Sequence, residues 1–217
     1  MNSSRTFRRV LSLVALLLVL FALVSCSKTN KLVGEGDMLR DKKTDVEYLC
    51  APSSYEALSV GEEPYAKQGD LLFYPVTGQD PLKFLSEEFG ALFYAESVTL
   101  PSLSEMSLTH AELRVEGNLL TTLEDEDTVN AIRDVYLDGD TIAYPNYTPT
   151  RNLQIRLADS ELGICYVLTY LEYAENYVGE DGVVYGKAFL RNPYENRFIS
   201  APEELIDALA TIYGSAS

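Results

Sequence analysis

The chain has 217 residues, 47% of them apolar, with 17 Lys and Arg against 33 Asp and Glu and a formal net charge of −16. That apolar fraction excludes a disordered chain, and the length suits one domain or two small ones. The acidic balance excludes nucleic acid as a partner, because phosphate contacts need a basic surface.

The amino terminus is organised as a targeting segment. Arg5, Arg8 and Arg9 come first, and Val10 to Val24 is apolar apart from Ser12, which matches the charged and hydrophobic regions of a secretory signal. Leu23-Val24-Ser25-Cys26 closes this stretch and resembles the lipobox of bacterial lipoproteins. The resemblance implies a signal peptide over residues 1–25, diacylglycerol on the Cys26 sulfur, and cleavage before Cys26. It also implies residence on the extracytoplasmic face of the cell membrane. Each buried methylene contributes about 0.8 kcal/mol, so two or three acyl chains anchor stably where one does not. The competing readings are an uncleaved membrane-spanning helix and an ordinary secreted protein. Fifteen residues cover about 22 Å of a hydrocarbon core about 30 Å thick, which is short for a span.

Residues 27–44 are polar and glycine-containing, with no regular period, and predict a flexible tether after Cys26. The tether carries five basic and three acidic residues, whereas residues 45–217 hold 9 basic and 30 acidic ones. A mildly basic stalk would thus lie beside an anionic bilayer, with a strongly acidic body held off beyond it.

In the body, Val46, Tyr48 and Cys50 alternate with Asp45 and Glu47, the pattern of a strand. Leu71 to Val76 predicts another. A helix is expected next, with Asp80 as cap, Pro81 in the first turn, Leu82, Leu85 and Phe89 on one stripe, and Gly90 as stop. Ala91 to Leu100 reads as a strand ended by Pro101, and residues 101–109 as a link between halves 45–100 and 111–217.

Leu113 and Val115 alternate with Glu112, Arg114 and Glu116, Gly117-Asn118 turns the chain, and Leu119 to Leu123 continues extended. Glu124-Asp125-Glu126-Asp127 opens a helix carrying Val129, Ile132, Val135 and Tyr136; acids there favour the positive end of the helix dipole and supply capping oxygens. Leu153, Ile155 and Leu157 alternate with Gln154 and Arg156, which predicts a strand with one wet face. Ile164 to Leu171 is apolar on both faces and reads as a central strand. Gly179 to Gly182 turns into Val183 to Arg191, and Asn192 to Asn196 turns into Arg197-Phe198-Ile199. Ser200-Ala201-Pro202-Glu203 reads as a capping box for a last helix with Leu205, Ile206, Leu209, Ile212 and Tyr213 on one face.

Together these elements predict an α+β protein, mainly antiparallel sheet with about three helices, and suggest two strand–helix–strand halves. The stretch from Ala95 to Ala208, with its extended run, acidic helix start and paired strands, resembles lipoproteins and exported proteins of Firmicutes. That resemblance transfers no activity and no residue roles.

The chemistry is marked by what the sequence lacks. His110 is the single histidine, too few for the common zinc or copper sites, so no metal and no cofactor is expected. There is no Gly-x-Ser-x-Gly elbow and no phosphate-binding glycine motif. Catalytic residues are therefore not assigned. Cys50 and Cys165 remain once Cys26 is lipidated; an extracytoplasmic site permits a disulfide between them, and their apolar strand contexts equally suit free buried thiols. Tyr144-Pro145-Asn146-Tyr147-Thr148-Pro149 is a stiffened loop, and Tyr144 and Tyr147 are its candidate binding residues. The function expected is a non-enzymatic, membrane-anchored binding or envelope accessory module for a wall component, an envelope protein or a small solute. The other reading is a carboxylate-dependent hydrolase acting on envelope polysaccharide, for which Glu87-Glu88, Glu124 to Asp127 and Asp138/Asp140 supply adjacent acids.

Overall fold

The computed structural model describes residues 29–35, 38–88, 90–142, 148–179, 182–195 and 197–214. The first half contributes eight short strands: β1 (Asn30–Glu35), β2 (Met38–Asp41), β3 (Glu47–Cys50), β4 (Tyr55–Ala57), β5 (Ala66–Gln68), β6 (Leu71–Pro75), β7 (Phe84–Glu87) and β8 (Leu92–Ala95). All but β4 close into a barrel in the order β1-β2-β3-β8-β7-β6-β5. Each barrel pair is antiparallel except the closing one, where β1 runs parallel to β5 and Asn30 and Lys31 face Ala66 and Lys67. Alternation places Leu32, Leu39, Tyr48, Ala66, Phe73, Leu85 and Phe93 inside, with the Phe73 and Phe93 rings edge-on at 5.4 Å.

Asn30–Glu35 and Met38–Asp41 are thus barrel strands, not a tether. Their period is hidden because only one of the two buried residues in each short strand is apolar: Leu32 beside Asn30 in β1, and Leu39 beside Asp41 in β2. The carboxylate of Asp41 is buried as well, held by Asn30 Nδ2 at 2.8 Å, the Lys43 amide at 2.8 Å and the Tyr65 hydroxyl at 3.0 Å. It ties β1, β2 and the approach to β5 together at the closing seam.

The helix expected after Asp80 is absent. Asp80 does cap, accepting from the Leu82 amide at 2.9 Å, but only a turn follows before the chain extends as β7. Phe84, Leu85 and Ser86 are all buried. Leu85 faces the barrel interior and Phe84 the junction with the second half. A residue pair buried on opposite sides is a strand requirement that local helix signals do not override. Leu82, expected on the buried stripe, is 39% exposed.

The second half supplies β9 (His110–Val115), β10 (Asn118–Leu123), β11 (Arg151–Asp159), β12 (Ile164–Val178), β13 (Val184–Arg191) and β14 (Phe198–Ser200), with helices α1 (Glu126–Asp138) and α2 (Glu203–Gly214). The sheet order is β10-β9-β11-β12-β13-β14, and β4 joins it beside the first residues of β12. The protein is α+β and mainly antiparallel, with two helices rather than three among the described residues, and the first half holds none of them. Both helices cover one sheet face, packing Val129, Ile132, Tyr136, Leu205 and Leu209 on Leu153, Ile155, Leu157, Leu168 and Tyr170. Asp125 caps α1 through the Thr128 amide at 2.9 Å. Arg197 closes its other end, donating to Leu137 O at 3.0 Å, where a cation suits the helix dipole. Ser200, expected in a capping box, lies in β14 and gives its hydroxyl to Tyr185 O at 3.2 Å.

Candidate functional site

The register of the sheet decides what its second face carries. Opposite the helix-facing pairs, Arg156 stands against Glu112, Gln154 against Arg114, and Cys165 against Glu56. This face was expected to be wet, yet Arg156 is only 5% exposed. The long-range contacts come from Glu56 and Ala57 of β4 and from Leu58 just after it, none of which is a sequence neighbour.

Between that face and the barrel end lies a cleft of about 540 Å³. Arg114, Gln154 and Arg156 contribute to its floor, Glu56 to Val60 one wall, Cys50-Ala51 with Ser86 to Glu88 the other, and Tyr194 its rim. The Arg156 guanidinium lies 2.9 Å from Glu112 and 3.4 Å from Glu56, and donates to the carbonyls of Ala57 and Leu58. Glu112 also accepts from Arg114 at 3.0 Å. Burial works against the Arg156 charge, but its pKa is raised, and near neutral pH the carboxylates that hold it as a cation are Glu112 and Glu56. Beneath, burial pushes the Cys165 thiol up to about 12, against the pull of Arg156, so it is a neutral packing group.

The two arginines are therefore already met by Glu112 and Glu56. Glu87 and Glu88 also line the cleft, and no cation pairs with either among the described residues. The cleft carries an excess of negative charge above a neutralised floor. Such a site favours hydroxyl and ammonium groups and works against anions.

Of the residues singled out from sequence, Cys26, Tyr144 and Tyr147 lie outside the described residues. Cys50 and Cys165 are free thiols, Cys50 exposed at the cleft and Cys165 buried. Glu87 and Glu88 come to the cleft; Asp125 is spent on capping α1, and its carboxyl is held below the usual range by its hydrogen bonds from Thr128. His110 begins β9, with Nδ1 3.0 Å from Thr109 Oγ1. No group of three or more His, Cys, Asp and Glu placed to hold a metal occurs among the described residues. Sequence reasoning missed Arg156, Glu112, Arg114 and Glu56. The available signal was the opposite charge of Glu112 and Arg156 on strands that pair antiparallel.

Comparison with protein-family models, with curated proteins and with solved structures finds no match for this chain.

Proposed function

We propose that this chain is a bacterial lipoprotein, fixed by acylated Cys26 to the extracytoplasmic face of a cell membrane, and that it acts as a non-enzymatic binding module. Its ligand is an envelope-derived molecule bearing hydroxyl and amine groups, received in the cleft. The observation that supports this most is the pair of carboxylates Glu87 and Glu88, without a cation partner among the described residues, beside a floor whose arginines are already neutralised. The anchor rests on the order of Arg5 to Arg9, the apolar run and Leu23-Val24-Ser25-Cys26.

Two measurements test the reading. Metabolic labelling with a tagged fatty acid should mark the wild type and not Cys26→Ala; equal label in both ends the anchor assignment. Melting the lipidated protein in detergent against amino sugars, wall-derived peptides and small anions should raise the midpoint only with amine-bearing ligands, since a native-state ligand stabilises by mass action. The double change Glu87→Gln/Glu88→Gln should abolish that rise. Stabilisation by the anions alone would overturn the cleft assignment.

A carboxylate-dependent hydrolase remains the second reading, because Glu56 and Glu87 line the same cleft. Release of reducing ends from wall polysaccharide, lost in Glu87→Gln, would replace binding by hydrolysis.

A further inference from the structure

The sheet face that floors the cleft carries one cation that no described acid balances. Seven arginines lie among the described residues, and six of them give guanidinium hydrogens to a carboxylate or a carbonyl. Arg191 is the seventh. Its Nε is buried without a hydrogen-bond partner, and its guanidinium sits over the Phe198 ring, 5.3 Å from the centroid. No carboxylate comes within ion-pair distance of it among the described residues. Stacking on Phe198 orients the planar group and leaves its hydrogen-bonding fork unused. A buried donor without an acceptor is costly, and a bound group is one physical reason for a folded chain to keep one.

The acids nearby are engaged elsewhere. Glu112 and Glu56 meet Arg114 and Arg156. Glu172, further along β12, is in register with Ala188 of the helix-facing core and holds Arg151 and Lys187. Glu195, in the turn after Arg191, accepts from Tyr136 of α1 and from Asn192. Asp138 and Asp140 precede Ile142, the bridge partner of Phe198, and make no ion pair with Arg191.

Register puts Arg191 in line with the cleft. Arg114 of β9 stands opposite Gln154 of β11, Gln154 opposite Thr169 of β12, and Thr169 opposite Arg191 of β13. Residues directly opposite share a face, so the four form one polar row across four strands. Arg114 and Gln154 line the cleft. Gln154 and Thr169 are half-buried, and neither side chain hydrogen-bonds to a described residue. The turn after Arg191 returns to the same cleft: Tyr194 stands on its rim, with its amide held by Asn192 Oδ1 at 2.9 Å. Neighbouring strands are about 4.8 Å apart, so Arg191 lies about 10 Å from Gln154 along the row.

We propose that Arg191, with the Thr169 hydroxyl and the Gln154 amide beside it, binds the carboxylate of a short peptide whose free amine is held by Glu87 and Glu88. This gives the cleft its ligand class, and it rests on the reading of Glu87 and Glu88 as an amine site. A guanidinium fork matches a carboxylate with two parallel hydrogen bonds. The peptide is zwitterionic, so its ammonium meets the acidic wall and its carboxylate the far end of the row, and neither end enters a field of its own sign. Extended chain covers about 3.5 Å per residue, so a peptide of about three or four residues spans the distance. A free anion gains little from one arginine beside an acidic cleft, whereas a carboxylate tethered to a bound amine arrives at high effective concentration.

The test is calorimetric titration of the full lipidated protein in non-ionic detergent with trialanine, trialanine amide and N-acetyl-trialanine. Trialanine should bind at least about tenfold more tightly than its amide, which lacks the carboxylate. Arg191→Met should bring trialanine down to the level of the amide and leave the affinity for the amide unchanged. Thr169→Val, which keeps the shape of the side chain, should weaken trialanine about threefold and the amide not at all. A merely structural role would weaken both probes alike. Equal affinity of trialanine and its amide for the wild type, or equal losses for both in the two variants, overturns the carboxylate site and leaves the amine cleft standing. Binding of N-acetyl-trialanine as tight as that of trialanine, and still lost in Arg191→Met, overturns the amine reading instead. No binding of any probe at millimolar concentration overturns the peptide and leaves the amine cleft to stand or fall on amino sugars.

Discussion

The Arg156 guanidinium donates to the Ala57 carbonyl across 99 residues of sequence. That contact binds β4, which leaves the barrel, to the sheet of the second half. It also places the Glu56 carboxylate 3.4 Å from the same group. The cleft floor and the joint between the two halves are thus one structure.

Arg156→Met should therefore cost about 3 kcal/mol, within the range for removing one partner of a buried ion pair. Glu112 keeps Arg114, but Glu56 and the two carbonyls lose their donor. Arg156→Lys should fall between, since one ammonium cannot reach four acceptors in a plane. Urea unfolding checks both; a change below 1 kcal/mol for Arg156→Met would show the joint to be held by apolar packing alone.

Asp41 gives the pH dependence. Burial would raise its carboxyl, but the hydrogen bonds of the Lys43 amide, Thr44, Tyr65 and Asn30 win and hold it below its ordinary value of 3.8. A depressed folded pKa contributes stability that is present above the ordinary value and is lost as pH falls through the folded one. Stability should be flat from neutrality to about pH 5 at this site and decline below pH 4. Asp41→Asn should cost about 1–3 kcal/mol at pH 7 and flatten that decline. Acid titration of the unfolding midpoint for both proteins measures it.

Gly163 marks the second contact between halves. Its φ is +65°, and an added Cβ would meet Thr77 O and Val76 Cγ1 at 3.0 Å. Gly117 has φ +82° with nothing within 4 Å. Gly117→Ala should cost about 1 kcal/mol from the left-handed backbone alone. Gly163→Ala should cost clearly more, about 2–3 kcal/mol, because packed backbone cannot yield. Equal losses would refute the close approach.

The thiols offer a count. Cys50 is exposed, with its pKa pushed up by partial burial and by Glu87, so it should react with a disulfide reagent more slowly than a free thiol. Cys165 is buried and should react only on unfolding. The lipidated protein should thus show one titratable thiol when native and two when denatured. Three in denaturant would mean an unmodified Cys26.

Much of the second half was legible because its strands and helices are long and their apolar spacing is clean. Leu153, Ile155 and Leu157 in β11, and Val129, Ile132 and Tyr136 in α1, are buried as their alternation and helical spacing require. The first half was less so. Strands of three to six residues hold too few turns of any period to separate strand from loop, and Asp80, Pro81 and Gly90 give helix punctuation to a segment that becomes β7.

The sequence by itself determined the charge asymmetry, the α+β class and the core faces of the long elements, since each follows from residue type and local spacing. The tertiary structure alone decided that β1 and β2 belong to a barrel, that β4 crosses to β12, and that Arg156 is buried beside Glu56 and Glu112. Those facts depend on pairings between segments distant in the chain, and a polar residue carries no local mark of what will come to lie over it.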